Sequence, residues 1–217
     1  MNKLMTATEA VSHVKDGDVL MIGGFLQGGS PETLVGALLE SSATNLTIVS
    51  NDTGTADTRT IELQRQGRVS KVYATYIGAN VETGRMVIEN PDSVELNPQG
   101  TLAERIRAAG AGIAAFLTPV GVKTVVERGR KTVSLDGREY LMEEALPGDV
   151  AFVRATIADT MGNCFMRGTT KNFNAIMPAA CKYAIVEAEK IVPAGELDPE
   201  LVTVPGIFID AIVEVEG

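Results

Sequence analysis

The stretch "MIGGFLQGGSPETL", residues 21–34, places four glycines within seven positions, directly after a short apolar run. Glycine has no side chain, so a ligand can approach the main-chain N–H groups closely. Ser30, Pro31 and Glu32 then read as a helix start, with Ser30 as N-cap, Pro31 at the first helical position and Glu32 favourable to the dipole. A helix start adds partial positive charge. The unit Gly23, Gly24, Phe25, Leu26, Gln27, Gly28 and Gly29 therefore suits a developing negative charge, such as a thioester oxyanion, or a phosphate. A tight crossover that needs positive φ is the plain alternative. The glycine spacing fails G-x-G-x-x-G, no Gly-Lys-Ser/Thr follows, and Ser30 lacks the next glycine of a nucleophile elbow.

Two carboxamides join the loop as candidates. Asn51 follows the strand-like "NLTIVS", and its amide can donate to an oxyanion without carrying charge. It can equally close an Asx-turn. Gln99, in "NPQGT", also follows a strand and stands beside Pro98 and Gly100, where a surface turn is the alternative. The lone histidine, His13, lies on the first helix and is expected to be exposed or structural, and Cys164 and Cys181 are expected to be small apolar fillers. One histidine and two scattered cysteines predict no metal site.

Positioning these residues requires strands and helices in alternation. "TATEAVSHVKDG" has Thr6 three residues before Glu9, a capping-box spacing, with Val11 and Val14 on one face and Gly17 as the stop. "DVLMIGG", "NLTIVS", "SKVYATYIG", "SVELN", "DVAFVRATIA", "YAIVEAE" and "IFIDAIVEV" are nearly continuous apolar runs, as in strands buried on both faces. "SPETLVGALLESS" carries Leu34, Leu38 and Leu39 as an apolar stripe, and "GTLAERIRAAG" places Leu102 and Ile106 on one face. Arg105 and Arg107 read there as solvated-face charges. The pattern predicts an α/β fold, a largely parallel sheet flanked by helices, as one domain over residues 1–217. Asp136-Gly137 between two strand-like arms predicts a β-hairpin around 132–142. "AIVEVEG" ends the chain as a strand whose edge wants a partner.

Composition narrows the classes. The chain has 217 residues, 45% apolar and 22% charged, with net charge −9. That acidity argues against unselective binding to nucleic acid or anionic membranes. The sparse cysteines suggest a reducing compartment, and no apolar stretch is long enough for a signal core or a bilayer crossing, so a cytoplasmic location is expected.

"DGDVLMIGGFLQGGSP" has Asp-Gly, two free positions, three aliphatic residues, Gly-Gly-Phe, three free positions, Gly, one free position and Pro. This long gapped pattern resembles the signature of the family I coenzyme A transferases. "SNDTG" at 50–54, "PQGTLAERIRAAGAG" at 98–112 and "GTTKNFN" at 168–174 resemble the same family. The resemblance covers essentially the whole chain and is nearest to the α (A) subunits of acetate/butyrate–acetoacetate CoA-transferases. It implies transfer of CoA from an acyl-CoA to a free carboxylate through a glutamyl-CoA thioester, with CoA as substrate and no separate cofactor. It also implies that the nucleophilic glutamate lies in a Ser-Glu-Asn-Gly motif of the other half, and that motif does not occur in this chain. A β-subunit partner is therefore expected, with two α and two β chains.

By the same resemblance, Gly23 to Gly29 contact CoA and the thioester. Phe25 either packs under the loop or lies against the acyl-pantetheine. Asn51 supports the oxyanion, and Gln99 grips the substrate carboxylate. Lys171 and Asn172 shape the site or the subunit contact. CoA is polyanionic and this chain acidic, so its nucleotide end is expected to rest on the partner. The alternative is a non-catalytic metabolite- or sugar-phosphate-binding module of similar α/β fold.

Overall fold

The computed structural model describes residues 3–215. Four strands open the main sheet: β1 (Val19–Ile22), β2 (Leu46–Ser50), β3 (Val69–Ala74) and β4 (Val94–Leu96). A separate three-stranded antiparallel sheet follows, made of β5 (Ala115–Thr118), β6 (Lys131–Leu135) and β7 (Arg138–Glu144) in the order β5-β7-β6. The chain then returns to the main sheet with β8 (Gly148–Asp159), the two-residue β9 (Cys164–Phe165), β10 (Cys181–Val192) and β11 (Ala211–Glu214). The main sheet runs β11-β10-β8-β1-β2-β3-β4, and every pairing along that path is parallel. Each of the seven apolar runs is one of these seven strands. Cover on both faces makes the central β1 and β2 nearly continuous apolar runs, whereas edge strand β4 keeps Leu96 50% exposed.

Helices α1 (Ala7–Val11), α2 (Glu32–Leu39) and α3 (Thr60–Arg65) supply Ala10, Leu34, Leu38 and Leu63 to one face of the sheet. On the opposite face α5 (Gln99–Gly110) lays Leu102 and Ile106 against Val153 and Val186. Helix α4 (Val81–Glu89) lies beside β4 and sends Met86 to the first face. The sequence reading missed α3 and α4, because their apolar residues are few and unevenly spaced. Val81 and Ile88 of α4 are among the most exposed apolar side chains of the chain.

Local expectations were met in part. Thr6 accepts from the Glu9 amide while Glu9 accepts from the Thr6 amide, the reciprocal capping box. The helix nonetheless ends at Val11, before Val14 and Gly17. The Ser12 hydroxyl donates to the Glu9 carbonyl (2.6 Å) and competes for a helical acceptor. Ser30 does not cap α2: its hydroxyl donates to the Glu32 carboxylate (2.7 Å), and Pro31 stands at the N-cap. The hairpin is present, with Asp136 and Gly137 both at positive φ (51° and 75°), the requirement of a two-residue primed turn. It extends over 131–144 and gains β5 as a third strand, which the reading did not foresee.

Two further corrections concern charge and edge. Arg105 is not solvated: 11% of its side chain is exposed, and it bonds Glu95, Asn97 and the Glu144 carbonyl. Arg130 reaches the same Glu95 and also Glu143, so two guanidinium groups clamp the small sheet to the main one. The outer edge of β11 is met by the chain's own N-terminal segment. Met5 N–H donates to the Ile212 carbonyl and Ile212 N–H to the Lys3 carbonyl. That strand therefore says less about a partner than its bare sequence suggested. The last two residues lie outside the described range.

Candidate functional site

Parallel strands deliver their carboxyl ends to one side of the sheet, the usual place for a ligand crevice in such folds. The glycine loop follows β1, Asn51 follows β2, and Gln99 opens α5 three residues after β4 ends at Leu96. The structure joins all three through a residue the sequence reading passed over, Asp52. Gln99 Nε2 donates to Asn51 Oδ1 (2.7 Å), and Asn51 Nδ2 donates to Asp52 Oδ2 (2.8 Å). The same oxygen accepts from the Leu26 amide (2.9 Å), and Asp52 Oδ1 accepts from the Gly54 amide (3.0 Å). Asp52 stood in plain view in "SNDTG", next to the asparagine that drew attention.

The loop is a tight two-residue turn, not an open nest of amides. Phe25 and Gly28 exchange both main-chain bonds (3.0 and 2.9 Å), and Leu26 takes φ of 52°. The Gly23 amide donates to the Phe152 carbonyl, and the Gly24 amide donates to Asn172 Oδ1. Of residues 23–29, only Gln27 and Gly29 have amides that make no hydrogen bond within the described residues. Phe25 does not pack under the loop, since 49% of it is exposed. Leu26 beside it is 39% exposed, so the turn carries two exposed apolar side chains.

"GTTKNFN" is the loop's support. Asn172 holds the Gly24 amide and donates to the Gly28 carbonyl (3.1 Å). Asn174, fully buried, donates to the Gly29 carbonyl (2.9 Å) and accepts from the Arg154 amide (3.1 Å). This close approach explains Gly23, where a Cβ would run into the Asn174 carboxamide. Gly24 and Gly29 need their positive φ values of 117° and 72°. Asn172 thus braces the glycine loop. Lys171 makes no contact that assigns it a part.

The start of α2 is not offered to a ligand. Glu187, fully buried on β10, accepts from the Leu34 amide (3.0 Å) and also bonds the Thr33 amide. Arg154 faces it at 2.9 Å and reaches Glu189 on its other side. Burial pushes the Glu187 carboxyl up to about 7, against the helix amides and Arg154, which pull it down. A lone acid inside the apolar run "YAIVEAE" was the available signal. Elsewhere the bland readings hold. His13 is exposed and stacks on Tyr183, and burial pushes both Cys164 and Cys181 up to about 12, so neither is a reactive thiolate.

The arrangement can hold a carbonyl-derived oxyanion at the loop with two free main-chain donors, beside a carboxamide whose orientation a hydrogen-bond chain sets. The model of the coenzyme A transferase family matches residues 4–215. The chain is 46% identical to the acetate CoA-transferase subunit alpha of Escherichia coli K12, over 97% of this chain and 96% of that one. It is 45% identical to the acetoacetyl-CoA:acetate/butyrate CoA transferase alpha subunit of Clostridium acetobutylicum, over 98% of each. Its fold is similar to that of an acyl-CoA transferase of Escherichia coli O157:H7, with TM-score 0.87 at 24% identity. It covers 99% of this chain there but only 47% of that longer one. Glutaconate CoA-transferase of Acidaminococcus fermentans gives the same TM-score at 23% identity, over 98% of this chain and 75% of that one. From its glycine loop to its last strand, the chain belongs to the coenzyme A transferase family, as a subunit of the alpha type.

Proposed function

We propose that this α subunit works with a β subunit to move CoA between a short-chain acyl-CoA or 3-oxoacyl-CoA, such as acetoacetyl-CoA, and acetate or butyrate. The names of the Escherichia coli and Clostridium relatives support those substrates. The observation that carries the division of labour is the state of Asp52. It is the carboxylate built into the constellation, and it is spent on the Leu26, Asn51 and Gly54 donors. Those bonds fill most of its acceptor capacity, and the Ser-Glu-Asn-Gly motif does not occur in this sequence, so the attacking carboxylate comes from the partner chain as a glutamate. It adds to the thioester carbonyl, the resulting oxyanion rests on the Gln27 and Gly29 amides, and the CoA thiolate leaves. The thiolate then attacks the glutamyl carbonyl of the anhydride and releases the first acid, leaving a glutamyl-CoA thioester. The incoming acid reverses both steps. In this reading the Asn51 oxygen orients Gln99 and one of its two amide hydrogens is engaged with Asp52, which leaves the other for the oxyanion.

The nucleotide end of CoA rests on the partner. A cavity of about 340 Å³ between α5 and the small sheet collects Arg105, Arg128, Arg130 and Lys131, but also Glu95, Glu143 and Glu144. Its charge is nearly balanced, and its two buried arginines are already paired. The metabolite-module alternative is not favoured, since the relatives over the full chain are transferase subunits. The test is the loss of acetoacetyl-CoA absorbance with a panel of carboxylates. The chain co-expressed with its β partner is expected to turn over, and the chain alone is not. Full turnover by this polypeptide without a second chain overturns the proposal.

A further inference from the structure

A small cavity lies beneath the glycine loop, with Gly23, Gly24, Ser50, Asp52 and Thr58 among its walls. It has about 10 Å³ of room for the centre of a water-sized body, which is the space of one water molecule. Ser50 ends β2 in register with Ile22 of β1. Alternation along the strand turns it to the face of Ile48, under α2 and α3. It is 4% exposed, and its hydroxyl oxygen has no hydrogen-bond partner among the described residues. Buried hydroxyls are normally paired, so this one, facing a cavity, calls for an occupant.

Asp52 lines the same cavity. Its Oδ2 accepts from Leu26 and Asn51, but Oδ1 accepts from Gly54 alone. A carboxylate oxygen has two lone-pair sites, so Oδ1 has room for one more donor. The other hydroxyls there cannot supply it. Ser30 donates to Glu32 (2.7 Å), and Thr58 donates to the Thr55 carbonyl (2.8 Å). The occupant must therefore donate to a carboxylate and pair with a hydroxyl in the space of a single small molecule. An anion cannot donate, and an apolar guest can do neither.

We propose that this cavity binds one ordered water, which joins the Ser50 hydroxyl to Asp52 Oδ1, and that Ser50 is thereby a positioning residue for the glycine loop. The water site stands on the packing of this chain alone, while its part in turnover rests on the transferase reading. The terminal torsion of an aspartate is soft, so its carboxylate takes its orientation from the groups bonded to it. The water adds a partner on the less occupied oxygen, tied through Ser50 to the rigid end of β2. The Leu26 amide is held by the other oxygen of that carboxylate, and with it the left-handed turn of the loop. Ser50 acts on the oxyanion site through Asp52 and touches no substrate.

The experiment uses the complex of this chain with its β partner. A crystal structure that resolves ordered interior waters is expected to show one water within hydrogen-bond distance of both Ser50 Oγ and Asp52 Oδ1. In Ser50→Ala that water is expected to be weakened or lost. In turnover, Ser50→Ala is expected to lower kcat about fivefold while KM for the acid stays within about twofold, the scale of one neutral hydrogen bond lost to the transition state. In an Asp52→Ala background the same substitution is expected to change kcat by less than about twofold, because the bridge no longer reaches the loop. Losses that multiply in the double variant overturn the positioning role. A wild-type cavity without density, or a Ser50 hydroxyl bonded directly to protein, overturns the whole inference, even where a variant fails to fold, and leaves the transferase reading standing. The water in place in a complex that transfers no CoA would sink the transferase reading instead.

Discussion

Asp52 shows how one side chain can decide the geometry of a site without touching its ligand. Its two oxygens accept from Leu26, Asn51 and Gly54, and each of those donors belongs to a different part of the loop system. Truncating it leaves buried donors without acceptors, which costs about 1–3 kcal/mol for such a group. Asp52→Ala is therefore expected to lower the denaturation midpoint. It should also reduce kcat of the complex at least tenfold, since Leu26 loses the bond that holds its left-handed turn and Gln99 loses its oriented acceptor. Asp52→Asn keeps one acceptor oxygen and is expected to recover part of both losses. A role limited to stability would leave kcat of the folded variant unchanged. The glycines divide on the same physical grounds. Gly23 is required because Asn174 presses on it, whereas Gly84 on α4 has nothing within 4 Å and no positive φ.

At the scale of elements, the notable junction is between β10 and the start of α2. A helix N-terminus after a glycine loop invites an external anion, but here the protein supplies its own in Glu187. The carboxyl is raised from its ordinary 4.5 to about 7, so the folded chain binds this proton more tightly than the unfolded chain. Folding therefore takes up a proton between those values, and the associated stability is full below about 4.5 and declines as pH rises through 7. Glu187→Gln removes the titration and keeps an acceptor for the Leu34 amide. Measured by denaturant unfolding between pH 4 and 8, the wild type is expected to lose about 3 kcal/mol relative to this variant. Parallel pH curves for the two proteins would show that Glu187 stays charged in the fold.

For the whole molecule, the question is what completes the site. Exposed Phe25, Leu26, Tyr76 and Leu96 gather at or just beyond the carboxyl ends of β1 to β4, where the loop amides stand. A partner that brings the nucleophile to those amides also covers that apolar end. Co-purified with its β chain, the protein is expected to have the mass of two α and two β subunits. The Phe25→Ser variant is expected to weaken that assembly or its turnover. A fully active complex with Phe25→Ser, unchanged in mass, would separate the loop tip from both tasks.

The sequence by itself determined seven of the eight strands of the main sheet, their parallel class, the Asp136-Gly137 turn and the glycine loop. These are written in local composition, because a strand covered on both faces must be apolar throughout and a two-residue primed turn needs residues that accept positive φ. Tertiary structure decided what those residues face. That Asn51 serves Gln99, that Asp52 ties them to Leu26, that Asn174 excludes a side chain at Gly23, and that Glu187 fills the end of α2 are pairings across 26 to 153 positions of chain. Hydrogen bonds at such separations leave no periodicity in the sequence. Only the packing of β1, β2, β8 and β10 side by side brings their donors and acceptors within reach.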